Sequence, residues 1–264
     1  MFVIPAPEAI SFTVFNIPIY WYGITMALAI FTSMVVGNKL YNLVNLQIRR
    51  DVIIEYAPLI IVTGIVCARL YFCLLNHNYY LSHLGEILDI RQGGLSIHGA
   101  LIGGVASLIY VAKKCKISVM SILDAMGCAT ILGQSIGRWG NYFNSEAYGL
   151  PVKGQDWGLF VPESKRVFEY ADFSLFHPAF LYESISDLFA FGLLLLILLK
   201  FGKRYRGLVL FSYLVIYSVI RFFIEQIRVD SALNLASIPV AELVSIVLFF
   251  VGILGILITL FKNK

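Results

Sequence analysis

Long apolar runs recur along this chain, and they limit its possible folds more than any other feature. Stretches of about 20 apolar residues, long enough to cross a bilayer as a helix, recur from residue 17 to the C-terminal tail. Only 14% of the 264 residues are charged and the mean hydropathy is +0.82, whereas a soluble chain carries roughly a quarter charged residues. The sequence therefore predicts an all-α polytopic membrane protein, with residues 1–264 forming one domain.

About seven transmembrane helices are predicted from these runs. Their approximate bounds are residues 17–38, 53–75, 94–112, 118–137, 178–200, 207–227 and 238–261. Residues 1–16 lack the positive start and the small-residue cleavage site of a signal peptide, so we expect them to remain as an exposed N-terminal segment. Residues 138–177 form the longest stretch between helices 4 and 5, and we expect a small external cap there.

Basic residues in the short loops predict the orientation of the chain. Twelve of the 20 lysines and arginines follow the first, third and fifth spans or end the chain: Lys39, Arg49, Arg50, Lys113, Lys114, Lys116, Lys200, Lys203, Arg204, Arg206, Lys262 and Lys264. The positive-inside rule makes that side cytoplasmic, which places the N-terminus outside and the C-terminus inside. The net charge of +4 then reflects topology, and we expect no nucleic-acid partner.

Polar residues in the spans gather near one predicted level, close to the outer membrane surface. At about 1.5 Å per helical residue, this level includes Tyr22, Arg69, His98, Arg138, Glu183 and Arg221. Ionisable groups at membrane depth usually mark function. A channel or transporter tends to spread such groups along a path or near the midplane. The outer level therefore favours an enzyme that acts on lipid head groups, with Glu55 as the exception near the inner side.

One face of the sixth span carries a polar stripe. Tyr217, Arg221, Glu225 and Arg228 are spaced by four, four and three residues, so they share one face of the helix. An ion-pair ladder between helices is one interpretation. The other is that two arginines with a single carboxylate leave a cation in excess, which together with Arg138 and Arg69 would bind a phosphate through bidentate hydrogen bonds.

Three other positions allow a structural and a functional interpretation. Gly99 and Gly103 have the spacing of closely packed helices. His98 would serve either as a hydrogen-bonding group between helices or as a catalyst. Tyr22 would belong either to the aromatic belt at the membrane surface or to a site. Glu183, just after a helix start, needs a partner such as an arginine.

Five segments together resemble the bacterial prolipoprotein diacylglyceryl transferases. They are Trp21-Tyr22-Gly23, Gly94-Leu95-Ser96-Ile97-His98-Gly99, Gly137-Arg138-x-Gly140-Asn141-x-x-Asn144-x-Glu146-x-x-Gly149, His177-Pro178 with Tyr182-Glu183, and Arg221-Phe222-x-x-Glu225-x-x-Arg228. The resemblance covers the full length in the same order, and the central arginine–asparagine–glutamate segment is the family's signature.

The resemblance implies a transfer reaction at the outer leaflet of the bacterial plasma membrane. The sn-1,2-diacylglyceryl group of phosphatidylglycerol would move to the lipobox cysteine of a prolipoprotein, forming a thioether and releasing glycerol 1-phosphate. It implies no cofactor and no metal, and the four cysteines show no metal-ligand spacing. The partners would be phosphatidylglycerol and a prolipoprotein signal peptide that enters laterally, and we expect a monomer.

The same resemblance suggests roles for single residues. Arg138 and Arg221 would hold the phosphate, and His98 would be the general base, with Glu146 or a water held by it as the alternative. The remaining substrate-binding candidates are Tyr22, Arg69, Gly99, Asn141, Glu146, Gly149, Tyr217, Glu225 and Arg228. A lipid transporter or scramblase with the same arginines, or a non-catalytic scaffold, are the competing hypotheses. The transporter would need polar groups that continue toward the inner leaflet.

Overall fold

The computed structural model describes residues 2–45, 51–90, 93–154, 156–229, 234–235 and 238–262, and the chain divides into two compact units. The larger unit comprises Met1–Gly37 with Asp124–Lys264, and the smaller unit comprises Asn38–Leu123. Of the basic residues that predict orientation, Arg49, Arg50 and Lys264 lie outside the described residues. The orientation itself, with the N-terminus outside, stays a prediction.

Helices dominate the described part of the chain. They are α1 (Trp21–Val44), α2 (Val52–Glu55), α3 (Ala57–Leu75), α4 (His77–Tyr80), α5 (Ile97–Lys114), α6 (Val119–Asn144), α7 (Ala179–Phe201), α8 (Leu208–Ile227) and α9 (Val240–Lys262). Among the described residues, six helices are long and apolar enough to cross a membrane, namely α1, α3, α6, α7, α8 and α9. Helix α5, which contains His98 and ends on two lysines, falls outside this set, so a count of seven spans stays a prediction.

Three predicted spans differ from the helices that form. The first, predicted over residues 17–38, is α1 over Trp21–Val44, because Ile17–Tyr20 pairs with Ile10–Val14 as a strand. The second is divided into α2 and α3 at Tyr56, because Pro58 in the first turn of α3 lacks the backbone amide that would continue the hydrogen bonding of α2. The fourth, predicted to end at residue 137, continues to Asn144. A Cβ atom on Gly140 would lie 2.8 Å from Thr25 Oγ1, so this glycine lets the end of α6 pack directly against α1. The predicted end of this span is therefore wrong.

Short strands, which the all-α prediction did not include, accompany the helices. In the larger unit β1 (Phe2–Ile4) pairs in parallel with β4 (Trp157–Phe160), and β4 pairs antiparallel with β5 (Leu175–Phe176). The remaining strands form two hairpins, β2 (Ile10–Val14) with β3 (Ile17–Tyr20) and β6 (Asn234–Leu235) with β7 (Ile238–Pro239). A core of buried residues supports the three-stranded sheet: Tyr148, Leu159, Val161, Phe176 and Phe180. The predicted cap segment thus contains β4 and β5, and its place outside the membrane stays a prediction.

A buried carboxylate fixes the start of α8 in the larger unit. Asp124 of α6 is 1% exposed and accepts hydrogen bonds from the backbone amides of Gly207, at 2.6 Å, and Leu210, at 2.8 Å. A carboxylate at a helix N-terminus satisfies otherwise unpaired amides and favours the helix dipole. This contact sets how far α8 is displaced along α6, and so the level at which the polar stripe of α8 lies.

The smaller unit is built on close packing of α3 against α5. A Cβ atom on Gly99 would collide with the carbonyl oxygen of Cys67, and one on Gly103 would lie 2.7 Å from that of Thr63. The prediction that these glycines allow helices to approach closely is therefore confirmed. That Gly99 also binds substrate stays a prediction.

Candidate active site

Two arginines from different helices meet at one carboxylate in the larger unit. Arg138 of α6 places Nη2 at 2.8 Å from Glu183 Oε1 of α7, and Arg221 of α8 places Nη1 at 3.7 Å from Glu183 Oε2. Arg221 Nη2 also lies 2.5 Å from Glu225 Oε2, one turn along α8. We call Arg138, Glu183, Arg221 and Glu225 the arginine cluster. Three helices supply it, so the packing of α6, α7 and α8 fixes its geometry.

The carboxylates of the arginine cluster lie deeper than the guanidinium groups. The side chains of Glu183 and Glu225 are 1% and 2% exposed, whereas those of Arg221 and Arg138 are 11% and 20% exposed. The contact of Arg138 with Glu183 is an ion pair without aligned hydrogen-bond geometry. The carboxylates therefore hold the arginines in place while leaving guanidinium N–H groups able to bind a further anion.

The helix end beyond Arg138 carries a second hydrogen-bonded pair. Arg138 Nη1 donates to Asn141 Oδ1 at 3.5 Å, and Asn141 Nδ2 donates to Glu146 Oε1 at 2.8 Å. Ser145 and Ala147, on either side of Glu146, have left-handed backbones with φ of 52° and 56°. Non-glycine residues rarely adopt this conformation, and such strain is typical of functional sites. The turn directs Glu146 back toward α6, so Arg138, Asn141 and Glu146 form one hydrogen-bonded group.

Gly149 and Arg228 join this turn to the neighbouring helices through the backbone. Gly149 pairs with Arg228 in an antiparallel bridge, and its amide donates to the carbonyl oxygen of His177 at 2.8 Å. A Cβ atom on Gly149 would lie 2.9 Å from that of His177. Glycine is needed here for close approach, and direct contact of Gly149 with substrate stays a prediction.

Two tyrosines stand beside Arg138. The ring of Tyr22 in α1 lies next to Gly140, where an added Cβ atom would be 3.0 Å from Tyr22 Cδ2. Tyr217 stacks on Tyr213 with ring centroids 5.9 Å apart, one turn before Arg221. Both Tyr22 and Tyr217 are within electrostatic range of Arg138. The structure thus brings Tyr22, Tyr217, Asn141 and Glu146 near Arg138, while their contacts with substrate stay predictions.

Arg69 has a different surrounding in the smaller unit. All five of its N–H groups donate to backbone carbonyl oxygens at 2.7–3.0 Å, those of Glu86, Ile87, Asp89, Gly93 and Gly94. The residue is only 7% exposed, and its guanidinium lies over Phe72 and Tyr80. A guanidinium has five donors and all five of Arg69 are used here, while its contact with a phosphate stays a prediction. Arg69 instead holds the loop that precedes α5.

Replacing Arg69 with lysine should loosen that loop. Lysine offers three donors from one point, so at least two hydrogen bonds disappear and the free energy of unfolding should fall by about 2–3 kcal/mol. Hydrogen exchange of residues 84–90 would measure the change, with Arg166→Lys as a matched control because Arg166 also binds carbonyl oxygens. Unchanged protection of this loop, combined with weaker binding of a phosphate-bearing ligand, would instead favour the predicted phosphate contact of Arg69.

His98 also belongs to the smaller unit. It is the second residue of α5, is exposed, and its ring centroid lies 6.1 Å from that of Tyr71. An imidazole can take up a proton near neutral pH, and the general-base role of His98 stays a prediction. Within the described ranges, histidine, cysteine, aspartate and glutamate side chains do not form a group of three that could bind a metal ion.

The prediction that Glu183 needs a partner such as an arginine is confirmed, but sequence reasoning missed that it contacts two arginines and missed Asp187. Counting charges on α8 alone left one arginine in excess, whereas Glu183 of α7 contacts both Arg138 and Arg221. Asp187 follows Glu183 by one turn and is 1% exposed. Two carboxylates four residues apart in an otherwise apolar helix were the available signal, because membrane helices rarely carry acidic residues without a function.

The six apolar helices define a multi-pass membrane protein, and three of them bring together the buried charges of the arginine cluster. A comparison with protein families places residues 9–258 in the family described as prolipoprotein diacylglyceryl transferase, and the chain belongs to this family of transferases. Three phosphatidylglycerol–prolipoprotein diacylglyceryl transferases are similar to it over most of both chains. They come from Acaryochloris marina (38% identity; 97% of this chain and 91% of the relative), Clostridioides difficile (36%; 97% and 97%) and Thermotoga maritima (42%; 90% and 80%).

Proposed function

We propose that this protein transfers the sn-1,2-diacylglyceryl group of phosphatidylglycerol to the lipobox cysteine of a prolipoprotein. The observation that carries this proposal is that Arg138 and Arg221 share Glu183 while both guanidinium groups stay partly exposed. Two arginines that contact the same carboxylate can both donate hydrogen bonds to the oxygens of one phosphodiester. The names of the similar transferases supply the lipid and the class of acceptor.

In the proposed step the cysteine sulfur attacks the glycerol carbon that carries the phosphate. A carbon–sulfur bond forms, the carbon–oxygen bond to phosphate breaks, and its electron pair leaves with glycerol 1-phosphate. The thiol proton passes to a base. The growing negative charge on the phosphate is stabilised by Arg138 and Arg221, which the carboxylates hold in place before the reaction begins.

The helices and the charge distribution support a proposal for the membrane setting. Six apolar helices and the family support a multi-pass membrane protein. The basic loops support a bacterial plasma-membrane location with the site toward the outer leaflet, where phosphatidylglycerol head groups and exported prolipoproteins are both accessible. We propose that one domain acts as a monomer without a cofactor.

His98 is proposed as the base that removes the thiol proton. Replacing it with glutamine should lower transfer by about 100-fold or more, because general bases typically contribute 10²–10⁴-fold. The loss should shrink as the pH rises and the thiol ionises unaided. Initial rates across pH would show this, with His83→Gln, at an exposed histidine of the smaller unit, as the control. Near-normal turnover of His98→Gln would transfer the role to Glu146 or a water.

The proposed function is tested by product mass. Purified protein is incubated with phosphatidylglycerol vesicles and a lipobox peptide, and the peptide should gain one diacylglyceryl unit. A peptide with serine in place of cysteine and vesicles of phosphatidylcholine alone are the controls, and neither should give product. Movement of lipid between leaflets without peptide modification would instead identify a lipid transporter.

A further inference from the structure

Asp187 is an ionisable side chain near the arginine cluster that the proposed reaction does not use. It follows Glu183 by one helical turn on α7 and is 1% exposed. Neither carboxylate oxygen has a hydrogen-bond partner within the described parts of the chain. A buried carboxylate without donors is strongly disfavoured in its ionised form, whereas a protonated carboxyl group is tolerated.

The groups that face Asp187 come from three helices. Glu183 is on its own helix, Arg138 is on α6, and Arg221 is on α8. Two buried tyrosines of α8, Tyr213 and Tyr217, are also within electrostatic range. Both cations already contact closer carboxylates, those of Glu183 and Glu225. The positive charge near Asp187 is therefore already balanced by other side chains.

The net charge of the phosphate site depends on whether Asp187 is ionised. Arg138 and Arg221 contribute two positive charges, and Glu183 and Glu225 contribute two negative charges, so the cluster alone is neutral. An ionised Asp187 would make the site net negative, and it would repel a phosphodiester that carries one negative charge. With Asp187 protonated the site stays neutral, and the exposed guanidinium N–H groups can bind the phosphate.

We propose that Asp187 is a proton-binding residue of the phosphate site, and that its protonation permits an anionic phosphate to bind at Arg138 and Arg221. This inference rests on the proposed function, because it assumes that these arginines bind the lipid phosphate. It adds a residue to the site and couples lipid binding to the uptake of one proton. Asp187 acts through the arginines, so it is a positioning residue.

The linkage between proton uptake and binding gives the expected change in phosphatidylglycerol affinity with pH. A ligand whose binding takes up one proton loses up to about tenfold in affinity for each pH unit above the point where the free site deprotonates. The phosphodiester itself keeps one charge across this range. Binding of phosphatidylglycerol should therefore weaken as the pH rises, in the absence of any peptide acceptor.

The test measures phosphatidylglycerol binding to the purified full-length protein between about pH 6 and about pH 9, spanning the neutral range. The wild type should show weaker binding at higher pH, whereas Asp187→Asn, a neutral mimic of the protonated acid, should bind equally well throughout. Asp172→Asn is the matched control at an exposed aspartate and should behave as the wild type. Asp187→Ser provides a second neutral variant and should give the same flat profile.

Calorimetry of the wild type keeps the proposal testable even if the variants fold poorly. Titration with phosphatidylglycerol in buffers of different ionisation enthalpy should reveal uptake of about one proton per lipid in the upper part of the pH range. Binding without proton uptake, or an Asp187→Asn profile that follows the wild type, would overturn the inference while the proposed function stands. Absence of phosphatidylglycerol binding and transfer at every pH would instead overturn the proposed function.

Discussion

Replacing Arg138 with lysine should lower diacylglyceryl transfer by about 100- to 1,000-fold, by analogy with the loss of a donor that stabilises a transition-state anion. Lysine keeps the positive charge but loses the planar fork, and Arg138 must contact Glu183 and still present N–H groups to the phosphate. Peptide modification at saturating phosphatidylglycerol measures the effect. A phosphate contact that strengthens in the transition state should appear mainly in kcat.

Arg204→Lys is the matched control for this change. Arg204 is exposed in the turn before α8 and lies over the ring of Tyr205, far along the helix from Arg221. Its replacement should leave transfer unchanged. An Arg138→Lys enzyme with activity near that of the wild type would argue against bidentate binding of the phosphate, and charge alone would then be sufficient at this position.

Replacing Glu183 with glutamine should lower the free energy of unfolding by about 3–5 kcal/mol, because the change leaves buried charge without its partner. Glu183 is 1% exposed and contacts Arg138 and Arg221 together, so both guanidinium groups lose an anion. Transfer should fall as well, since the arginines lose the group that fixes them. Thermal and denaturant unfolding in detergent would measure the loss.

Phosphatidylglycerol should partly rescue this variant. Its phosphate supplies an anion at the same two arginines, so the lipid should raise the Tm of Glu183→Gln by more than that of the wild type. Glu163→Gln is the control, because Glu163 is exposed in the segment between α6 and α7. Equal stability of Glu183→Gln and the wild type would contradict the view that this carboxylate organises the site.

Local sequence patterns were sufficient to predict most helices and the face of α8 that carries the polar stripe. Apolar length locates a membrane helix, and a spacing of four residues aligns Arg221 with Glu225 without knowledge of other helices. The same reasoning failed where distant segments decide the structure. Helix α6 extends to Asn144 because Gly140 packs on α1, and β1 forms because it meets β4, more than 150 residues away.

Single residues of the candidate site could be predicted from the sequence, but the contacts between residues on different helices could not. The signature motif identified Arg138, Asn141 and Glu146, but spacing along the chain could not show that Glu183 lies between two arginines of other helices. Nor could it show that Arg69 uses its donors on nearby carbonyl groups. Such contacts depend on how the helices pack against one another. The residue pattern of a single helix carries no information about that packing.

An experimental structure with phosphatidylglycerol bound would test the central claim most directly, through the position of the lipid phosphorus. We expect phosphate oxygens within about 3 Å of N–H groups on both Arg138 and Arg221, the distance of charge-assisted hydrogen bonds. A phosphate bound elsewhere, with both guanidinium groups still held only by Glu183 and Glu225, would contradict the account.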